Sequence, residues 1–318
     1  MSFKDIKGNS RTIELLKSGI IQDTLFGAYI FSGPDGIGKM LAAKTLAKAL
    51  NCQENNSDAC GICPSCSRID KGVHPDISII DALGSEIKID YIRQLQRDIS
   101  LRPYEARKKV FIINNAHDLN PESSNAFLKT LEEPPKNSLI ILVSAKPSLL
   151  FKTILSRSKI IRFYPLKRQE LKEALINDYG LDAQTGHFLA YYSEGSIGKA
   201  LYLKDRDILR EKNQVIDDLF SAEAGSAGNH SENKREDIRR SLDILAGWIR
   251  DIYLVKSGQP QEEMIHLDRK SDILRLANHY SFFDLDVILK AVSDSLLYLG
   301  QNVNTKLLLA NLQFSLKS

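Results

Sequence analysis

The sequence predicts an α/β domain built on a mostly parallel sheet, followed by helical domains. Three observations carry this. Short β-branched runs alternate with helical patterns through the first half of the chain. A Gly-rich loop ending in lysine lies between one such run and a helix. After about Pro165 the strand signals fade, and apolar residues return at helical spacing.

Taken in order, Ala28–Ser32 is an apolar run leading into the Gly-rich loop, and Lys39–Leu50, rich in Ala, Leu and Lys, reads as a helix. Ile77–Ile80 and Val110–Ile113 suit buried parallel strands. Asn120-Pro121 pairs an N-cap residue with proline at the first helical position. The helix it opens should run to about Glu132, where Pro134-Pro135 stops it. Leu139–Ser144 is a further buried strand. Residues 166–207 read as a small helical unit interrupted by Gly195-Ser196-Ile197-Gly198. The stretch 221–233 is small, polar and Gly-containing, which predicts a mobile loop. Beyond it, Ile238, Leu242, Leu245, Trp248, Ile249 and Ile252 form one helical stripe, read as core or interface. Val287, Leu289, Val292 and Leu296 form a second, and Asn304 precedes a final helix through Leu307–Leu312.

The 318 residues are 43% hydrophobic and 26% charged, which excludes wholesale disorder. With 43 Lys+Arg against 40 Asp+Glu, the formal charge is +3, too balanced for attachment to nucleic acid by bulk charge alone. No apolar run approaches the ~20 residues of a membrane helix. The opening Met1–Ile6 lacks the apolar core of a signal peptide, so a cytoplasmic location is expected.

Gly33-Pro34-Asp35-Gly36-Ile37-Gly38-Lys39-Met40 fits G-x-x-x-x-G-K at seven positions and fails at the eighth. Such a loop turns successive backbone N–H groups and a helix N-terminus toward an anion, and Lys39 adds charge. Ser or Thr should stand eighth, with a hydroxyl for Mg²⁺. Met40 offers a thioether, a poor ligand for a hard cation. The buried run Val110–Ile113 leads into Asn114-Asn115, where an Asp would position Mg²⁺ and a Glu would activate water. Neither Asn carries charge. ATP binding stays open, Mg²⁺ is not expected, and no intrinsic hydrolysis is expected.

The four cysteines, Cys52, Cys60, Cys63 and Cys66, fall in one loop with Gly61 and Pro64. Four thiolates suit a closed, structural Zn²⁺ site. A zinc ribbon on nucleic acid is disfavoured by the acidic, polar stretch 53–58. His117 has no second ligand or nucleophile at useful spacing and reads as structural.

The phosphate loop, the cysteines after its helix and the run His74–Ser158 together resemble the delta-prime subunits of the bacterial DNA polymerase III clamp loader, which are AAA+ relatives. The resemblance rests on His74-Pro75-Asp76, Ile87-Lys88-Ile89-Asp90, Pro103-Tyr104-Glu105, the stretch Asn125–Pro135 (NAFLKTLEEPP) and Ile154-Leu155-Ser156-Arg157-Ser158. Phe3–Asn9 and Asn302-Val303-Asn304 also resemble that family. The match is strong over about residues 1–200 and diffuse beyond.

The resemblance implies an AAA+ P-loop domain over 1–165 with a zinc-bearing insertion at 52–66. It implies a helical lid over 166–207 and a helical collar for oligomerisation over 208–318. It further implies a hetero-oligomer with gamma/tau and delta subunits, acting through the complex on the sliding β clamp and primed DNA within a DNA-directed DNA polymerase holoenzyme of the bacterial replisome. In the family, the Ser-Arg-Cys arginine reaches a neighbour's ATP, so Arg157 is the expected trans-acting finger. Here Ser158 departs from the pattern. Lys199 stands where the family often has an arginine on the phosphates of its own nucleotide. The alternative is a hydrolysing gamma/tau-like subunit, opposed by Met40, Asn114 and Asn115. A P-loop small-molecule kinase would need an acceptor site and a working Mg²⁺ site, and the sequence offers neither.

Overall fold

The computed structural model describes residues 1–54, 57–81, 86–220, 234–299 and 301. The expected loop 221–233 and the expected final helix after Asn304 lie outside the described residues, as does part of the acidic stretch 53–58. In chain order the elements begin α1 (Ser10–Ile21), β1 (Gly27–Ser32), α2 (Lys39–Leu50), α3 (Pro64–Asp70), β2 (Ile77–Ile80), α4 (Ile89–Ser100) and β3 (Lys109–Ile113). They continue α5 (Pro121–Glu132), β4 (Ser138–Ser144), α6 (Lys152–Leu155), β5 (Lys159–Arg162), α7 (Arg168–Asn177), α8 (Ala183–Tyr192) and α9 (Ile197–Asp205). The last are α10 (Ile208–Phe220), α11 (Lys234–Lys256), α12 (Lys270–His279) and α13 (Phe282–Leu299).

The chain divides into two compact units. One comprises Met1–Ala174 with Ser193–Lys199; the other comprises Leu175–Tyr192 and the chain from Ala200 onward. Residues 166–207, expected as one small helical unit, are thus shared between them. The α/β P-loop fold with a helical C-terminal part is the fold observed.

In the first unit five parallel strands lie in the order β2-β3-β4-β1-β5. Every residue of β1, β3 and β4 is buried, as a parallel sheet covered on both faces requires. Side chains alternate between two cores. Tyr29, Phe31, Val110, Ile112, Leu139 and Ile141 pack with α1 and α2. Ile30, Phe111, Ile113, Ile140 and Leu142 pack with α4 and α5. The alanines of α2 (Ala42, Ala43, Ala47, Ala49) let that helix sit close to the sheet. For α5, Asn120 Oδ1 accepts from Ser123 N at 2.8 Å with Pro121 next in line, as the sequence predicts.

Edge strand β5 gives no apolar run, because only Ile161 is buried in it. The start of α1 is tied to its carboxyl end. Asn9 exchanges hydrogen bonds with the Tyr164 backbone, and Thr12 Oγ1 donates to the Arg162 carbonyl at 3.1 Å.

In the second unit the stripe Ile238, Leu242, Leu245, Trp248, Ile249 and Ile252 is buried along α11, as predicted. The second stripe needs correcting. Val287 and Leu289 are exposed, and the buried face of α13 is Leu285, Ile288, Val292, Ser295 and Leu299. The sequence run there is apolar on more than one face, so periodicity alone selects the wrong side.

Asp251 organises the centre of this unit. Its fully buried carboxylate accepts from Ile265 N at 2.9 Å, His266 N at 2.9 Å, His266 Nδ1 at 2.8 Å and Arg250 Nη1 at 3.1 Å. His187 Nε2 meets the Met264 carbonyl at 2.7 Å. The segment Met264–His266 is therefore held by side chains where no helix ladder serves it. Removing the acceptor strands three buried donors, so Asp251→Ala should destabilise the chain by about 3 kcal/mol or more in urea unfolding. Burial, partly opposed by Asp251, pushes the His266 pKa below its usual 6.5. The unfolded chain then takes up the proton first. This contribution to stability is complete above pH 6.5 and is lost as pH falls from there through the lowered folded value. Unfolding midpoints between pH 8 and pH 5 should show that loss, and His266→Gln should flatten it.

Candidate functional site

The carboxyl ends of β1 and β3 bring the predicted loop and the Asn pair together. A cavity of about 310 Å³ is lined by Asp35, Gly36, Gly38, Lys39, Met40, Leu41, Asn114, Asn115 and Val143. Gly36 has φ +71°, and a Cβ there would lie 2.4 Å from Ser196 Oγ, so this position demands glycine. Asn115 also takes a left-handed conformation, φ +47°, which asparagine tolerates better than most residues. Beside it His117 Nδ1 lies 3.3 Å from Ser144 Oγ at the end of β4, a structural contact.

The loop's cation is already engaged. Lys39 is buried, and its Nζ donates to the Pro34 carbonyl at 2.5 Å and lies 4.0 Å from Asp35 Oδ1. Burial pushes its pKa down, with Asp35 opposing. Residues 193–199 cover the loop from outside. Gly198 N donates to the Gly36 carbonyl at 2.9 Å, and Ser196 Oγ donates to the Asp35 carbonyl at 2.9 Å. Lys199 does not line the cavity; its Nζ pairs with Glu194 at 2.7 Å. The sequence marks Gly195–Gly198 as a helix interruption but gives no sign that Ser196 and Gly198 hold the phosphate loop.

Arg157 follows α6 on an exposed turn. Its Nε donates to Glu132 Oε1 at 2.8 Å, and Nη2 lies 2.6 Å from the same oxygen. Glu132 ends α5, 25 residues earlier in the chain. Ser158 Oγ, at the position that departs from the resemblance, is buried without a hydrogen-bond partner.

The cysteines converge. The sulfur atoms of Cys52, Cys60, Cys63 and Cys66 all lie within 4.8 Å of one another, and none forms a disulfide. A tetrahedron with Zn–S bonds of ~2.3 Å has edges of roughly 3.8 Å, so the cluster fits one such ion with small adjustments. The amides of Cys60, Cys63 and Cys66 donate to Cys52, Cys60 and Cys63 sulfurs at 3.5, 3.3 and 3.5 Å. Amides of Cys63 and Ile62 draw the Cys60 pKa down to about 6, whereas burial pushes Cys66 up to about 12. The cluster can hold a metal such as zinc, with no position left for a substrate water.

Polar contacts, from buried to exposed, fasten this loop to the unit. Lys48 Nζ, on α2, meets Asp70 at 2.9 Å and the Met1 carbonyl at 2.6 Å. Asp58 accepts from Phe3 N at 2.9 Å. Glu105 joins Arg68 of α3 to His74, and Asp76 accepts from the amides of Tyr104, Glu105 and Ala106, each at 2.9 Å. Burial disfavours ionisation of Asp76, but these amides and Lys109 outweigh it and hold its pKa below the usual carboxylate value. The phrases His74-Pro75-Asp76 and Pro103-Tyr104-Glu105 are therefore two sides of one network.

Residues 8–167 match the family model described as "DNA polymerase III, delta subunit", and residues 213–317 match "DNA polymerase III, delta subunit, C terminal". The chain is 28% identical over 319 residues to DNA polymerase III subunit delta' of Bacillus subtilis (strain 168), covering 96% of this chain and 95% of that one. It is 34% identical over 231 residues to DNA polymerase III subunit tau of Escherichia coli (strain K12), covering 71% of this chain but 36% of tau. Among solved structures, a gamma subunit-related protein of Thermotoga maritima aligns over 96% of this chain and 98% of its own, with 18% identity and a TM-score of 0.46. With one model spanning half its length and a second covering its C-terminal part, the chain belongs to the DNA polymerase III delta-subunit family.

Proposed function

We propose that this chain is the delta-prime subunit of the DNA polymerase III clamp loader, a member of the ring that loads the sliding β clamp on primed DNA. In this role it binds gamma/tau and delta subunits in the bacterial cytoplasm, at the replisome. Its own pocket does not hydrolyse ATP, and Arg157 serves the ATP site of a neighbouring subunit. Residues 166–207 act as the lid and residues 208–318 as the collar. One observation carries the reading. The cavity beside the phosphate loop keeps its glycines and Lys39 but presents Met40, Asn114 and Asn115 where magnesium ligation needs a hydroxyl and a carboxylate and water activation needs a second carboxylate as base. The near-complete mutual coverage with a delta' relative supports the same assignment.

In such a complex the chain's residues divide the work. The loop glycines would cradle phosphates through backbone N–H groups, once Lys39 exchanges the Pro34 carbonyl for them. With Asn115 where a carboxylate would act as base, no side chain at the end of β3 takes a proton from an attacking water. The planar guanidinium of Arg157 would stabilise charge developing on a γ-phosphate held elsewhere. Zinc in the cysteine cluster would fasten a loop too small to bury a core of its own. Arg157→Ala in the reconstituted complex should slow the site it faces by ~10³-fold or more, removing that site's share of turnover. Unchanged turnover contradicts the trans-acting role.

A second reading is a hydrolysing gamma/tau-like subunit, favoured by the 34% identity to tau over 231 residues. It requires Mg²⁺-dependent turnover by the isolated chain.

Metal analysis of purified protein should find about one Zn per chain. Removing it with a chelator, or replacing Cys66 by Ser, should lower the melting temperature and expose the thiols to reagent. A metal-free protein with the same melting temperature contradicts the zinc assignment. Lys48→Met should lower the melting temperature without releasing zinc, because it breaks the loop's fastening and leaves the sulfurs in place.

A further inference from the structure

An arginine that acts across a subunit boundary has a difficulty of its own. Its long side chain is free to sample many rotamers, and each one that misses the phosphate costs turnover. Arg157 is not free. Glu132 Oε1 takes Nε at 2.8 Å and sits 2.6 Å from Nη2. On the opposite edge Nη1 donates to the Thr153 carbonyl at 3.1 Å and to Ser156 Oγ at 3.2 Å. The single N–H of Nε and both of Nη1 are therefore engaged within the chain, and Nη2 is the nitrogen with donor capacity left. The guanidinium is held on two edges, by the last residue of a helix packed on the sheet and by a turn of its own backbone.

Thr153 and Ser156 lie within four residues of Arg157 and move with it. Glu132 is the contact that ties the guanidinium to a different element. Its carboxylate is half exposed and the arginine about one-third exposed, so the pair contributes little to stability. Among the described residues its hydrogen-bond and ion-pair partner is Arg157, and orientation of that arginine is the effect this leaves it. From this pairing we infer that Glu132 is a positioning residue for Arg157, setting the guanidinium so that Nη2 is presented to the phosphate of the neighbouring subunit. The inference rests on the trans-acting reading of Arg157. It differs from a latch, in which Glu132 would compete with the phosphate and hold the arginine back. Two facts favour positioning. Glu132 occupies the Nε edge and leaves donor capacity on Nη2, and surface pairing of this kind is too weak to withhold an arginine from a triphosphate.

The test is steady-state ATP turnover by the full reconstituted complex carrying Glu132→Ala, Glu132→Gln, Arg157→Ala or the Glu132→Ala/Arg157→Ala pair. Glu132→Ala should lower kcat at the affected site by up to about fivefold, with KM for ATP unchanged, because the neighbour's nucleotide pocket is intact. Glu132→Gln keeps an acceptor oxygen and should recover to within about twofold of the parent. The double variant should be no slower than Arg157→Ala alone. Melting temperature and complex assembly should not change in either Glu132 variant, which separates positioning from a structural role. A kcat that is unchanged or raised by Glu132→Ala, while Arg157→Ala slows turnover, overturns the inference and leaves the trans-acting reading standing. If Arg157→Ala itself leaves turnover unchanged, both fall together.

Discussion

Three adjacent strands without a single exposed residue constrain everything else in the first unit. A parallel sheet of this kind exists only if helices cover both faces, and each crossover must then return the chain to the same end. All the turns leaving the strands' carboxyl ends collect there. That is how Gly33–Lys39 after β1, Asn114-Asn115 after β3 and Ser144 at the end of β4 reach one neighbourhood from positions far apart in sequence. The sheet supplies the place. The side chains delivered to it decide what can happen there.

What is delivered is a glycine-rich loop with one lysine beside Asp35, and the three cations that the sequence offers to a phosphate each have a partner within the chain. Lys39 is tied to the Pro34 carbonyl, Lys199 to Glu194 and Arg157 to Glu132. The three ties differ in kind. Lys39 is buried and bonded inside its own loop, while the loop's carbonyls are occupied by Ser196 and Gly198. The Lys199 pair is exposed and local, contributing little beyond neutralising its charge. The Arg157 pair links two elements and fixes a direction. This distribution suits the proposed role, which asks for a quiet pocket in the chain itself and an oriented charge at its surface.

Much of this was legible before any coordinates. Buried strands announce themselves as β-branched runs, the phosphate loop by its spacing, the α5 start by Asn120-Pro121 and the metal cluster by Cys60-x2-Cys63-x2-Cys66. The features that escaped share a physical reason. Edge strand β5 buries only Ile161, so it carries no periodic signal. The bonds from Ser196 and Gly198 to the loop join residues about 160 positions apart, and the Glu132–Arg157 pair spans 25. No local spacing rule reports such partners. Along α13 the sequence pointed to Val287 and Leu289, and packing instead buries Leu285 and Ile288, because the run is apolar on more than one face. The role of Asp251 was equally silent, because its partners are the amides of a segment without regular structure.

On the proposed reading this pocket kept the shape of a nucleotide site and lost its chemistry at Met40, Asn114 and Asn115. The decisive measurement is phosphate release by the isolated chain with ATP and Mg²⁺ in excess. No turnover above the uncatalysed background is expected, and the same result for Lys39→Ala. Steady Mg²⁺-dependent release by the isolated chain, abolished by Lys39→Ala, would contradict it.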